Sequence, residues 1–283
     1  MPCFACRRSL GEMSTDRMGR MPRFRGPRLP LLLFLLFLLG LAACRGSPPY
    51  PVIPEGENPA RWAQAVARFE ERDREAPPPP GGVVFVGSSS IVLWRSLTQD
   101  MAPLPVIQRG FGGSRLFDAI YYADRLVSVH DPSVVVVFSG TNDIRRTSAK
   151  TAVEVRDLFR RLTRRMRRDD PKLTICYISI TPTQARANRI PVVRQANRLI
   201  RADCQRDDRM EFIDAASPLM DSKGEPDPRW FMKDGLHLNA DGYAVWTRCI
   251  RPVVLRCYRE ATGVDLGPVG CPGPVPPLAV TEG

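Results

Sequence analysis

The sequence predicts an α/β protein: a three-layer α/β/α sandwich with a five-stranded parallel sheet. Three observations carry that reading. Short apolar runs recur at 83–86, 105–108, 133–138, 173–180 and 211–213. The strongest of them are apolar at consecutive positions rather than alternating, as strands covered on both faces must be. Segments with apolar residues at helical spacing fill the gaps, and that alternation gives a parallel sheet with helices on both faces.

Taken in order, Arg20, Arg23, Arg25 and Arg28 precede an apolar run at 31–39 that continues through Gly40 to Ala43. A basic flank, a short apolar core and small residues make a secretory signal peptide, here 1–43. The run falls short of the roughly 20 residues that a membrane span needs. Residues before about Met18 read as dispensable, with Met18 or Met21 as the effective start. A Pro-, Gly- and Ser-rich stretch follows, and 44–58 reads as a tether. Trp62, Val66 and Phe69 then mark an amphipathic helix over 59–75, which Pro77 to Pro80 stop. Val155, Leu158, Phe159, Leu162 and Met166 form a second stripe, and Leu199 and Ile200 belong to a third. Arg160, Arg161, Arg164, Arg165, Arg167 and Arg168 fall opposite the second stripe and predict a solvated face. Asn239 is a good N-cap for a last helix that carries Tyr243, Trp246, Ile250 and Val253 inward, with a kink or end at Pro252. The domain is expected over 59–262, with an irregular Pro- and Gly-rich tail at 263–283.

The chain has 283 residues, 43% hydrophobic and 25% charged, enough for one large core or two small ones. Its net charge is +11, but residues 1–29 hold seven basic and two acidic residues, and the remainder carries only +6. A nucleic-acid partner needs a basic patch interleaved with aromatics, and the sequence offers none. Neither an H-E-x-x-H nor a Cys/His cluster at zinc spacing occurs, so no metal or other cofactor is expected.

Chemistry-bearing residues gather where strands end. Gly87-Ser88-Ser89-Ser90 follows the first apolar run, and the carboxyl ends of parallel strands are where ligands meet such sheets. Ser89 is the candidate nucleophile, with Ser88 and Ser90 as alternatives. Gly140-Thr141-Asn142-Asp143 follows the third run, so an Asn142 amide at the same edge could donate to an oxyanion. Gly110-Phe111-Gly112-Gly113 follows the second, and glycine lets a backbone N–H approach a substrate. Only two histidines occur. His130 precedes the third strand and belongs at the opposite end of the sheet. His237, three residues after Asp234, is then the candidate base, with the carboxylate holding its other ring nitrogen.

Four segments together resemble the SGNH or GDSL hydrolases, in the branch similar to platelet-activating-factor acetylhydrolase. They are Phe85 to Ile91 with Trp94, Arg109 to Ser114, Gly140 to Ile144 and Asp234 to Leu238. They come in family order, and the resemblance runs from Trp62 to about Trp246. It implies the flavodoxin-like fold of that family and a catalytic set of Ser89, Asp234 and His237. It also implies an oxyanion hole from the Ser89 and Gly113 N–H groups and the Asn142 amide. Two positions depart from the pattern: Ser88 stands where the family has its name-giving Asp, and Gln108 where many members have Asn. Loops 92–104, 144–150 and 181–195 are expected to wall the pocket, with Thr183, Arg186 and Arg194 as candidate pocket residues.

Leu41-Ala42-Ala43-Cys44 resembles the bacterial lipobox, which implies lipidation of Cys44 and a membrane-anchored protein of the cell envelope. Export also permits disulfides. Cys204–Cys249 and Cys257–Cys271 are the candidate pairs, with Cys176 as a core thiol. The expected function is hydrolysis of a small-molecule or saccharide carboxylic ester, acetyl or short-acyl, through an acyl-enzyme. Two other expectations stand beside it: an O-acetyltransferase acting on envelope polysaccharide, and a catalytically silent carbohydrate-binding lipoprotein.

Overall fold

The computed structural model describes residues 50–147 and 149–267. The expected signal peptide, Cys44, Cys271 and most of the tail lie outside them. Among the described residues no helix is long and apolar enough to cross a membrane.

Five strands form one sheet: β1 Val83–Gly87, β2 Val106–Gly110, β3 Val134–Phe138, β4 Thr174–Ile178 and β5 Met210–Ile213. Their order is β2-β1-β3-β4-β5 and every pairing is parallel. This is the doubly-wound order in which the chain leaves β1 first to one side and then to the other. The crevice at the carboxyl ends of β1 and β3 is therefore open to a ligand.

Side-chain alternation along the strands feeds two cores. Val83 and Phe85 of β1, Val134 and Val136 of β3, and Cys176 and Ile178 of β4 face one side. Val84, Val86, Val135, Val137, Ile175 and Tyr177 face the other. Helices α1 Ala63–Glu75, α2 Ser89–Leu93, α3 Leu116–Tyr121, α4 Thr141–Ile144, α5 Ala152–Met166, α6 Ile190–Cys204 and α7 Ala240–Thr262 complete the layers. Helices α1, α3, α5 and α6 cover the second face, while α7 covers the first with Trp246, Ile250 and Val254. A reciprocal capping box between Thr151 and Glu154 starts α5.

Several expectations change on folding. The arginine face of α5 lies at the surface, as expected, but much of it is also ion-paired: Arg160 meets Asp203, Arg165 and Arg168 meet Asp124, and Arg167 meets Asp207. Arg161 instead lies over the Phe117 ring. Pro252 does not end α7, which continues to Thr262. The proline is solvent-exposed, and burial of Val254, Leu255 and Tyr258 beyond it keeps the helix on the sheet. Val253 is only partly buried, and Val254 takes the inward position. Cys204 and Cys249 are not bonded, because they pack against cores on opposite faces of the sheet. Cys257 instead sits beside Cys176, with the sulfurs 3.7 Å apart and both thiols free.

The described end of the expected tether is docked rather than loose. Tyr50 stacks on Tyr121, and Glu57 forms ion pairs with Arg115 at 2.7 Å and Lys150 at 2.9 Å.

Candidate active site

Position 89 is fixed by a tight junction. Gly87 closes β1 against β3, and a Cβ there would lie 2.2 Å from the Phe138 carbonyl oxygen. Only glycine fits that approach. Ser88 is buried, and its N–H donates to the Phe138 carbonyl. Its own carbonyl accepts from the Ile91 and Val92 N–H groups, which winds the chain directly into α2. Ser89 opens that helix, half-exposed at the crevice between β1 and β3. Gln108 donates to the Ile91 and Trp94 carbonyls, so the departure from Asn ties β2 to the far end of α2.

The 231–238 turn delivers the imidazole. Met232 N–H donates to the His237 carbonyl at 2.7 Å, and Gly235 bends the chain with φ +60°. A Cβ at Gly235 would also press on Gln184 at 3.2 Å. Asp234 accepts through Oδ1 from the Leu236 and His237 N–H groups, at 2.9 and 3.0 Å. Its Oδ2 lies 2.6 Å from His237 Nδ1, and His237 Nε2 lies 2.9 Å from Ser89 Oγ. Burial would raise the Asp234 pKa, but the two N–H groups and the ring outweigh it and hold the carboxyl at about 2. A carboxylate only accepts, so Nδ1 carries the proton and Nε2 presents its lone pair to the serine hydroxyl.

Asn142 lies at the end of β3 on α4 and is buried. Its Nδ2 donates to the Ser114 carbonyl at 3.0 Å, and its Oδ1 accepts from Arg186 Nη2 at 3.0 Å. Gly113 has φ +81° and lies under the Trp62 indole, where an added Cβ would be 3.5 Å from the ring. It does not line the enclosed cleft. A Cβ added at its neighbour Gly112 would lie 3.9 Å from the Ser89 Cβ, so the turn that carries both glycines borders the serine.

The cleft has a volume of about 20 Å³, and its walls include Ser89, Asn142, Thr181, Thr183, Arg186 and His237. Of the three loops expected to wall it, only 181–195 does so. The 92–104 loop turns inward, burying Trp94, Leu97, Met101 and Leu104. In 144–150, the Ile144 and Lys150 carbonyls accept from Arg189. Arg194 belongs to a separate open groove of about 670 Å³ with Asn197, Arg201 and Lys223. Its guanidinium is held by the Gly224 carbonyl and Glu225. Thr141 and Thr181 line the cleft without having been singled out from sequence. Both follow a strand end, the signal that found Ser89 and Asn142. His130 lies far from this cluster, bonded to Arg109 and near Asp73. Among the described residues no group of His, Cys, Asp and Glu could hold a metal ion.

A model of the GDSL-like lipase/acylhydrolase family matches residues 87–245. The chain belongs to the GDSL-like lipase/acylhydrolase family. Solved structures of the same fold include a Streptococcus pneumonia protein described as a platelet activating factor, at 15% identity and a TM-score of 0.60. That comparison covers 80% of this chain and all of the other. A GDSL-like lipase from Bacteroides thetaiotaomicron is 19% identical over 70% of this chain and 98% of its own, with a TM-score of 0.55. A carbohydrate esterase family 3 protein from Talaromyces cellulolyticus is 16% identical over 64% of this chain and 99% of its own, with a TM-score of 0.52. Comparison with curated proteins found no match. Membership accounts for the four sequence segments and makes this GDSL-family chain an acylhydrolase in the broad sense.

Proposed function

We propose that the protein is a serine esterase cleaving acetyl or short-acyl carboxylic esters through an acyl-enzyme on Ser89. The observation that carries this reading is the unbroken chain from Ser89 Oγ through His237 to Asp234. Such a chain lets the imidazole take the serine proton as Oγ attacks the ester carbonyl, while the carboxylate stabilises the imidazolium. The new oxyanion is received by the Asn142 amide and the Ser89 and Gly113 N–H groups. Each such donor is worth about 2.7–4 kcal/mol to the transition state. His237 then protonates the departing alkoxide, and the alcohol leaves. Water, deprotonated by the same ring, attacks the acyl-serine and releases the carboxylic acid, which restores the serine hydroxyl.

Short acyl groups are favoured by the size of the cleft. A volume of 20 Å³ is close to the least that admits one water molecule, about 10–15 Å³. The alcohol, a small molecule or a saccharide, lies on the open side. Export and lipid anchoring through Cys44 to a membrane of the cell envelope complete the proposal, on the strength of the 1–43 leader and Leu41-Ala42-Ala43-Cys44.

A fluorophosphonate label mapped by peptide mass tests the chemistry. Modification of Ser89, with Ser89→Ala inactive on p-nitrophenyl acetate and Ser88→Ala active, is expected. Labelling at Ser88 or Ser90, or octanoate cleaved faster than acetate, would count against it. Metabolic labelling with palmitate tests the anchor: the wild type takes it up and Cys44→Ser does not.

A further inference from the structure

Arg186 is a half-buried cation at the edge of the reacting groups, and no carboxylate among the described residues pairs with it. Arg115, Arg125, Arg160, Arg165 and Arg167 each meet an acid, whereas Arg186 and Arg189 meet only carbonyl and amide oxygens. Burial lowers the Arg186 pKa and nearby Arg145 lowers it further, yet a guanidinium stays protonated wherever the protein is folded. Its partners are instead both on one short helix. Nη1 donates to the Thr141 carbonyl, and Nη2 donates to Asn142 Oδ1. Three residues on, Arg189 donates to the Ile144 carbonyl at the other end of α4. The helix that bears Asn142 is thus pinned at both ends by one segment, 184–189. The turn breaks from helical geometry at Arg186 itself, with φ −130° and ψ 34°.

The consequence falls on the Asn142 amide. A side-chain amide can rotate by half a turn and exchange its donor and acceptor ends. Here Oδ1 faces a guanidinium that only donates, so the flipped state would set N–H against N–H. With Oδ1 fixed, Nδ2 gives one hydrogen to the Ser114 carbonyl and keeps the second. A charged donor on Oδ1 also draws electron density from the amide, and hydrogen bonds in series strengthen one another.

We propose that Arg186 is a positioning residue for the reaction: it locks the Asn142 amide with one N–H free for the oxyanion and makes that N–H a stronger donor. This rests on the esterase reading. A guanidinium without a carboxylate would also suit a substrate carboxylate. However, both terminal nitrogens are already engaged by protein acceptors, so positioning is the role the contacts favour.

A double-mutant cycle on p-nitrophenyl acetate tests it, with active sites counted by fluorophosphonate and folding checked by Tm. Asn142→Ala is expected to lose about 10²–10³ in kcat. Arg186→Gln should lose about tenfold in kcat with little change in KM, and Arg186→Lys should recover part of it. In the Asn142→Ala background, Arg186→Gln should change kcat by less than about threefold, since the group it acts through is gone. Fully additive losses would overturn the proposal. So would a loss confined to KM for an anionic ester such as p-nitrophenyl hemisuccinate, which would make Arg186 a substrate-binding group. One readout needs no turnover. The Asn142 side-chain amide resonances, identified by their absence in Asn142→Ala, should move in Arg186→Gln, and unmoved signals would also overturn it. A wild type that does not hydrolyse the ester defeats the esterase reading instead, and the resonances still decide the Arg186–Asn142 link.

Discussion

Asp143 has no exposed surface, although it follows Asn142 directly and its letter suggests a solvated turn. It accepts from the Leu116 N–H at 3.1 Å, which joins the loop after β2 to the helix after β3. Burial pushes its pKa up to about 7, Glu57 pushes the same way, and the Leu116 N–H, Lys150 and Arg115 only partly oppose this. The sign for stability follows. In the unfolded chain the carboxyl titrates near 3.9, so between about pH 4 and 7 the folded state holds more protons. Stability is therefore lost as pH rises across that window and is level above it. Asp143→Asn keeps an acceptor for Leu116 and never ionises. Its stability relative to the wild type should rise from pH 4 to pH 8, by at most about 4 kcal/mol for a shift of about three units. Urea midpoints of both proteins at pH 4.5, 6 and 8 measure this. Parallel curves would mean that Asp143 is already ionised in the folded state.

Among the elements, the junction into α7 bears most directly on the site. Asn239 caps the helix by accepting from the Gly242 N–H at 2.9 Å. Its amide also donates to the Arg229 carbonyl at 2.7 Å, so it ties the helix start to the segment that leads into the 231–238 turn. Loss of such a cap costs about 0.5–2 kcal/mol. Asn239→Ala should fall in that range by urea denaturation and lower kcat a few-fold as the imidazole loses its support. Asn239→Asp keeps the cap and should regain much of the stability but not the tie to Arg229. An alanine variant as stable as the wild type would refute this. The same junction shows what was legible beforehand. Asn239, and the three central strands β1, β3 and β4 with their consecutive apolar residues, are written in local chemistry. The edge strands are more mixed: β2 carries Gln108 and Arg109, and the short β5 has Glu211 inside it. The 92–104 segment reads as a loop that walls the pocket, yet Trp94, Leu97 and Met101 carry it into the core. Arg186 and Arg194 are the same letter in one stretch. Only the backbone break at Arg186 and the carbonyls within its reach separate them, and neither is local information.

For the whole molecule, the decisive question is where the folded unit begins. Sequence composition assigns 44–58 to a tether, but the structure puts residues 50–62 against the loops that serve the site. Glu57 is almost fully buried between Arg115 and Lys150, and the Tyr122 hydroxyl donates to the Pro59 carbonyl at 3.0 Å. Arg61 meets the buried Asp118 at 3.3 Å, and Trp62 packs edge-on against Phe111 while covering Gly113. Proline, glycine and serine set the backbone's freedom, but burial of one glutamate between two cations can still fix it. A chain beginning at Ala63 would leave Arg115 and Asp118 without these partners and bare the apolar side of the 111–114 loop. Water would reach the freed charges, so the loss should be smaller than the 3–5 kcal/mol of breaking one pair in a closed core. A chain beginning at Tyr50 should match the longer protein in Tm and kcat. A chain beginning at Ala63 should melt about 5 °C or more lower, the equivalent of roughly 1–2 kcal/mol for a domain of this size. It should also lose turnover, because the Gly112 to Ser114 loop borders Ser89 and anchors Asn142. Equal melting and equal turnover for the two would return 50–58 to the tether and leave the 112–114 loop supported by α3 and α4 alone.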